Sequence, residues 1–206
     1  MPGLTLARTG LLLVLSLIVC GCPASPPPAP SAADAPLGAV ELLTFIPDDS
    51  HYLAAGHRLP AEPTLRPGEA IQQLADQLNR TYFNDGRETP TGSIRIEVLG
   101  IDTIDLPHRL LRVVAVNLHD PQQTAWRSFF QGSAGGQTTY YLLAATLMQP
   151  HLDPPLADGL VVLYNGEAFP ELDHIRFRGI VSAESIRPVV LQALQRRQPR
   201  THGVSG

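Results

Sequence analysis

The chain has 206 residues and a formal net charge of -4, enough for one domain with a sizeable core once a leader and a linker are set aside. Its positive charges are scattered and all fifteen are arginine, so no basic face for nucleic acid forms and neither a Schiff-base lysine nor a phosphate-loop lysine is available. Cys20 and Cys22 are the only cysteines, which leaves no disulfide for a folded domain downstream.

The first residues read as an export signal spanning 1–21. Arg8 lies in a short polar start, Leu11 to Val19 is an apolar run, and Cys20-Gly21-Cys22-Pro23 follows. A membrane-spanning helix needs about 20 apolar residues, and this run ends well before that at glycine and proline. The tetrad Val19-Cys20-Gly21-Cys22 resembles the bacterial lipobox, in which a small residue precedes the cysteine that is acylated and becomes the new N-terminus. Gly21 meets that requirement and makes Cys22 the expected lipidation site; ordinary signal cleavage nearby is the alternative. Acylation also removes a lone thiol that would be a liability in an oxidising compartment. Two or three acyl chains hold a protein on a bilayer stably, so the expected location is the cell membrane, facing the periplasm or the extracellular side. Residues 22–36 form a linker with six prolines between Pro23 and Pro36 and no large apolar side chain. Extended as polyproline II at about 3.1 Å per residue, it would lift the domain roughly 40 Å; a disordered tail with no reach requirement fits equally well.

The folded domain is expected over 37–198, with a disordered tail at 199–206. Val40 to Ile46 and Tyr52 to Leu59 read as a hairpin around the turn Pro47-Asp48-Asp49-Ser50. Pro67 suits a first helical turn, and Ile71, Leu74, Ala75 and Leu78 then share one helix face. Asn79-Arg80-Thr81 has the form of a glycosylation sequon, read here as chance. Ser93 to Ile101 alternates as a half-exposed strand, and Leu110 to Leu118 is a second β-rich run. Thr124 to Gln131 reads as a short helix or turn with Trp126, Phe129 and Phe130 inward. The helix over 137–148 carries two apolar stripes and must be covered on most sides, and Leu160 to Tyr164 reads as a strand buried on both faces. Phe169 to Gly179 reads as an irregular edge, followed by a helix to Arg197 capped by Ser182 or Ser185. Pro188 belongs in a first turn, which favours Ser185. The expectation is a single α/β (α+β) domain, its mixed sheet containing 40–46, 110–118 and 160–165 with the 137–148 helix packed on it.

Few residues suggest chemistry. Gly132, Ser133, Gly135 and Gly136 resemble an anion nest at a helix N-terminus, where free backbone amides hold phosphate or carboxylate; a tight lead-in to a buried helix is the plainer alternative. Ser133 lacks the nucleophile-elbow pattern. His51, His57, His119, His151 and His174 lie near Asp48, Asp49, Asp120, Asp153 and Asp173, pairs capable of metal binding or proton transfer, yet none has zinc spacing and each reads as a surface turn residue. No metal or cofactor is called for.

Several stretches together resemble the GerMN domain, the sporulation and spore-germination module of bacterial envelope lipoproteins. They are LLTFIPDDSHYLAAGHRL with Pro47 and Arg58 in the matching places, Val116-Asn117-Leu118-His119, Gly132-Ser133-Ala134, Thr146-Leu147-Met148, and the strand from Val161 to Gly166. The resemblance covers Val40 to Gly179. The chain departs from the pattern at Asn117 and His119, where Asp and Ser are usual, at Gly56, and in lacking the Gly-Pro after the first helix. The resemblance implies a mixed-sheet α/β domain that acts by protein contact without catalysis. The resulting reading is a lipid-anchored, non-enzymatic interaction or assembly module with an envelope protein partner and no nucleic acid. Its alternative is a small hydrolase or ligand-binding lipoprotein using the loops around Gly132 or the His-Asp pairs.

Overall fold

The computed structural model describes residues 35–48, 50, 52–84, 94–123, 129–170, 177 and 179–196. The signal segment, Cys22, the linker up to residue 34, Trp126 and the tail lie outside the described residues. Among those described, the strands are β1 (Glu41–Pro47), β2 (Leu53–Pro60), β3 (Arg95–Leu106), β4 (Arg109–His119), β5 (Gly159–Tyr164), β6 (Glu167–Ala168) and β7 (Val181–Ser182). The helices are α1 (Pro67–Leu78), α2 (Ser133–Met148) and α3 (Ala183–Arg196), with a π-helical turn at Asn79–Phe83 following α1.

The two apolar stripes of α2 set the architecture. Every residue from Leu142 to Met148 is buried, because α1, α3, the β1-β2 pair and β5 all pack against this helix. It starts at Ser133, a turn before the expected 137, and Phe129 and Phe130 are buried beside that start as expected. Helix α2 is also the crossover that makes β4 and β5 parallel, since parallel neighbours cannot be joined by a tight turn. The main sheet runs β3-β4-β5-β6 with β7 added to β5, antiparallel everywhere except at β4-β5. Val114, Val116, Leu118, Leu160 and Val162 point into the core cluster that includes α1, α2 and α3. The result is a single α+β domain with a mixed sheet.

Strand β1 does not join that sheet, contrary to the expectation for 40–46. It pairs only with β2, and its other edge is closed by α2 instead of a strand. Phe45 N donates to Thr146 Oγ1 at 2.9 Å, Leu43 N donates to Gln149 Oε1 at 2.8 Å, and Leu43 O accepts from Gln149 Nε2 at 2.6 Å. Gln149 is fully buried and holds the left-handed conformation (φ 48°) that ends α2. The β1-β2 register shifts between Leu43 and Phe45, and there Thr44 Oγ1 accepts from His57 N at 2.9 Å.

Two further expectations are corrected. Helix α3 starts at Ala183, and Ser182 occupies its cap: Ser182 Oγ accepts from Glu184 N at 3.2 Å, while Ser185 Oγ donates to Ser182 O at 2.7 Å. Pro188 therefore lies inside the helix, tolerated because it and Glu184, whose carbonyl loses its helical partner, are exposed to water. Strand β3 continues to Leu106 instead of ending at Ile101, since a shift of register between Val98 and Gly100 breaks the alternation without ending the ladder.

Candidate functional site

The carboxyl ends of β4 and β5 carry the densest polar network. The Asn165-Gly166 turn takes φ of 51° and 83°, which Asn and Gly accept at low cost. It is held by Asp120 N donating to Asn165 Oδ1 (2.7 Å), Asn165 Nδ2 donating to Asp120 O (2.9 Å) and Gly166 N donating to Asn117 Oδ1 (2.8 Å). Asn117 Nδ2 in turn donates to Glu97 Oε2 at 2.9 Å, and that bond, with Arg95 alongside, holds the Glu97 carboxyl below its ordinary range. Tyr164 donates its hydroxyl to the buried Asp120 carboxylate at 2.7 Å. Burial first, then Asp120, pushes the Tyr164 phenol far above its usual value, so it stays a hydrogen-bond donor at neutral pH and is no base. The network fixes a turn.

The structure scatters the residues suggested for chemistry. Gly132 is exposed with φ of 79° and starts α2, with Gly136 N donating to its carbonyl at 3.2 Å. A Cβ at Gly132 or Gly135 would meet nothing within 4 Å, so neither glycine answers to a close approach; Gly132 serves the chain's change of direction, while Gly135 lies inside the helix. His51, Asp49, His174 and Asp173 lie outside the described residues, as does the side chain of Ser133. His57 is exposed on β2, not in a turn, and His119 ends β4 in register with Arg95. Asp120 serves Tyr164 and Asn165, and Asp48 accepts from Ser50 N (2.9 Å) and Tyr52 N (2.8 Å), closing the hairpin turn. His151 is half-buried against the Phe45 ring at 6.1 Å, its Nδ1 without a partner among the described residues. Burial lowers its pKa; Glu41 opposes that and Arg187 adds to it. Among the described residues no three His, Cys, Asp or Glu side chains gather as a metal site would require.

Two features were missed by sequence reasoning. One is a cleft of about 540 Å³ at the opposite end of the sheet, between Arg109, Leu111, Asp158, Ile180, Glu184 and Arg187, where cations and carboxylates balance. Asp158 is fixed there by accepting from Arg112 N at 2.9 Å and by its own amide donating to Arg112 O at 2.8 Å. The other is the β3-β4 hairpin. Pairing with β5 begins only at Val113, while the β3-β4 ladder continues to Leu106 and Arg109. The last turns of this ribbon form an arm exposed from Asp102 to Leu110, with Ile104 36% exposed, Leu106 38% and Leu110 61%. The alternation of Ile104, Asp105 and Leu106 before the Pro107-His108 turn was the available signal. No known protein family, curated protein or solved structure matches the chain.

Proposed function

We propose that the protein is an envelope lipoprotein, anchored through acylated Cys22, whose single GerMN-like domain is a non-catalytic module for contact with an envelope protein. The observation that carries this reading is the β3-β4 arm. Leu110 is 61% exposed and Ile104 and Leu106 are more than a third exposed on this two-stranded ribbon, apolar surface whose contact with water costs solvation and that nothing in the described fold covers. The Tyr164-Asp120 network supports the same reading, because its groups are spent on one another at the base of the sheet. No described helix is long and apolar enough to cross a membrane.

The test uses the native envelope. Complexes extracted in mild detergent are separated by size for the wild type and for Leu106→Ser combined with Leu110→Ser, both exposed positions whose change leaves the core intact. The reading expects the wild type in an assembly larger than one chain and the variant released from it at equal abundance. A wild type that migrates alone would refute it. Cys22→Ser is expected to move the protein from the membrane to the soluble fraction.

A further inference from the structure

We infer that the outer edge of β3, from Ile101 to Asp105, receives an extended basic segment of a partner protein as an added antiparallel strand. This rests on the interaction-module reading and deepens it by naming what docks.

The register fixes which backbone groups face outward. Pro107-His108 closes the hairpin with Leu106 opposite Arg109, and pairs in such a ladder alternate between hydrogen-bonded and open. Residues 102, 104 and 106 therefore bond to β4, while Ile101, Thr103 and Asp105 direct their N–H and C=O away from it. The partner strand shows the same parity: Arg112, opposite Thr103, bonds outward to Asp158, and Leu118, opposite Ile96, accepts outward from Asn165 N at 3.0 Å.

The protein closes the first part of this edge itself. Asn79 Oδ1 accepts from Ile96 N at 2.7 Å and Asn79 Nδ2 donates to Ile96 O at 3.2 Å, and Asn84 Nδ2 donates to Ile94 O at 3.3 Å. Asn79 is thus a strand clamp. Past the register shift at Val98 and Gly100 the capping stops. Among the described residues no side chain or backbone group meets the outward amides and carbonyls of Ile101, Thr103 and Asp105. An open edge of this kind is a template for an added strand.

Charge selects the occupant. Asp102 and Asp105 are exposed on this edge, and β3 holds no Arg after Arg95. Two copies joined edge to edge would bring two carboxylates onto each face of one short β3-β3 ladder to which β3 itself contributes no cation, which disfavours self-pairing. The proline-rich linker of the same chain holds no basic residue, and its one five-residue run free of proline, Ser31 to Ala35, carries Asp34. An antiparallel partner strand complementary to Asp105, Ile104, Thr103, Asp102 and Ile101 reads, from its own N-terminus, basic, apolar, any, basic, apolar.

The probe is the blocked heptapeptide Thr-Arg-Val-Thr-Arg-Val-Thr, with a control carrying Glu for each Arg, added to the full chain purified from the envelope in detergent. Amide exchange at Ile101, Thr103 and Asp105 is expected to slow at least about tenfold with the basic peptide. Exchange at Asp102 and Ile104, already bonded to β4, is expected to stay unchanged. Asp102→Lys and Asp105→Lys are each expected to weaken the basic peptide by about fivefold and together to reverse the preference toward the acidic one. Thr103→Pro removes an outward amide that makes no bond in the fold, and is expected to abolish binding while thermal stability holds; should that variant unfold, the charge reversal carries the test. Equal binding of the two peptides, or no slowing at the three amides, overturns the inference. So does a concentration-dependent dimer that protects the same amides. A peptide failure alongside an arm-dependent envelope complex overturns this inference alone, whereas a wild type that migrates alone overturns the function reading.

Discussion

Gln149→Ala tests how the two sheets become one domain. The Gln149 amide is fully buried and bonds to both Leu43 N and Leu43 O, at 2.8 and 2.6 Å, across a sequence separation of 106 residues. Truncation leaves that donor and that acceptor buried without partners. An orphaned buried polar group costs about 1–3 kcal/mol, so the two together cost about 2–6 kcal/mol. Alanine at φ 48° bears a backbone strain similar to that of Gln, so the conformational contribution nearly cancels. Against a domain stability of about 5–15 kcal/mol this loss is severe. Urea unfolding followed by circular dichroism measures it, with the exposed Gln73→Ala on α1 as a control expected to stay within about 0.5 kcal/mol. Gln149→Met keeps most of the volume and leaves the same orphans, so it is expected to lose nearly as much. A Gln149→Ala protein within about 0.5 kcal/mol of wild type would show that β1 does not depend on α2 for its edge.

Gly56→Ala is expected to destabilise by about 1–3 kcal/mol, because overpacking forces displacement of a close-packed group. Its new Cβ would lie 2.8 Å from Thr44 Oγ1 and 3.2 Å from Ile46 Cγ2, and the same urea assay measures the loss. The folded state disfavours protonated His151, whose pKa burial holds below the ordinary value of about 6.5. Its contribution is therefore fully present above about pH 6.5 and declines as pH falls, since the unfolded chain then binds the proton more readily. Unfolding midpoints measured between about pH 5 and 7.5 should fall toward acid and flatten in His151→Gln; this window lies above the ordinary carboxylate range near 4.5 where Glu97 contributes. Midpoints that stay level would refute the assignment.

Helix α2 and strand β5 were legible because most of their apolar residues are buried and the composition repeats it: no charge interrupts Tyr140 to Met148 or Leu160 to Tyr164. The separate β1-β2 sheet was not, because it depends on Thr146 and Gln149 reaching backbone groups more than a hundred residues away, for which no local pattern exists. Likewise β3 hid its second half. Ile94, Ile96 and Val98 alternate, but Leu99-Gly100 shifts the parity, so Ile101 faces the core side where Gly100 breaks the count. Asn165-Gly166 was readable as a turn, whereas its tie to Asp120, Asn117 and Glu97 was visible only once parallel strands brought them together. The nearness of His and Asp in sequence proved uninformative, because Asp120 turns to Tyr164 and Asp48 to its own turn.

Photocrosslinking in living cells, with benzoylphenylalanine in place of Leu110 on the arm or of Gln73 on α1, asks most directly whether this surface is what the protein uses. Both positions are exposed, so neither replacement disturbs the core. Position 110 is predicted to yield a discrete adduct with an envelope protein that Thr103→Pro removes, and position 73 none. No adduct from position 110, or the same adducts from both positions, would contradict the account.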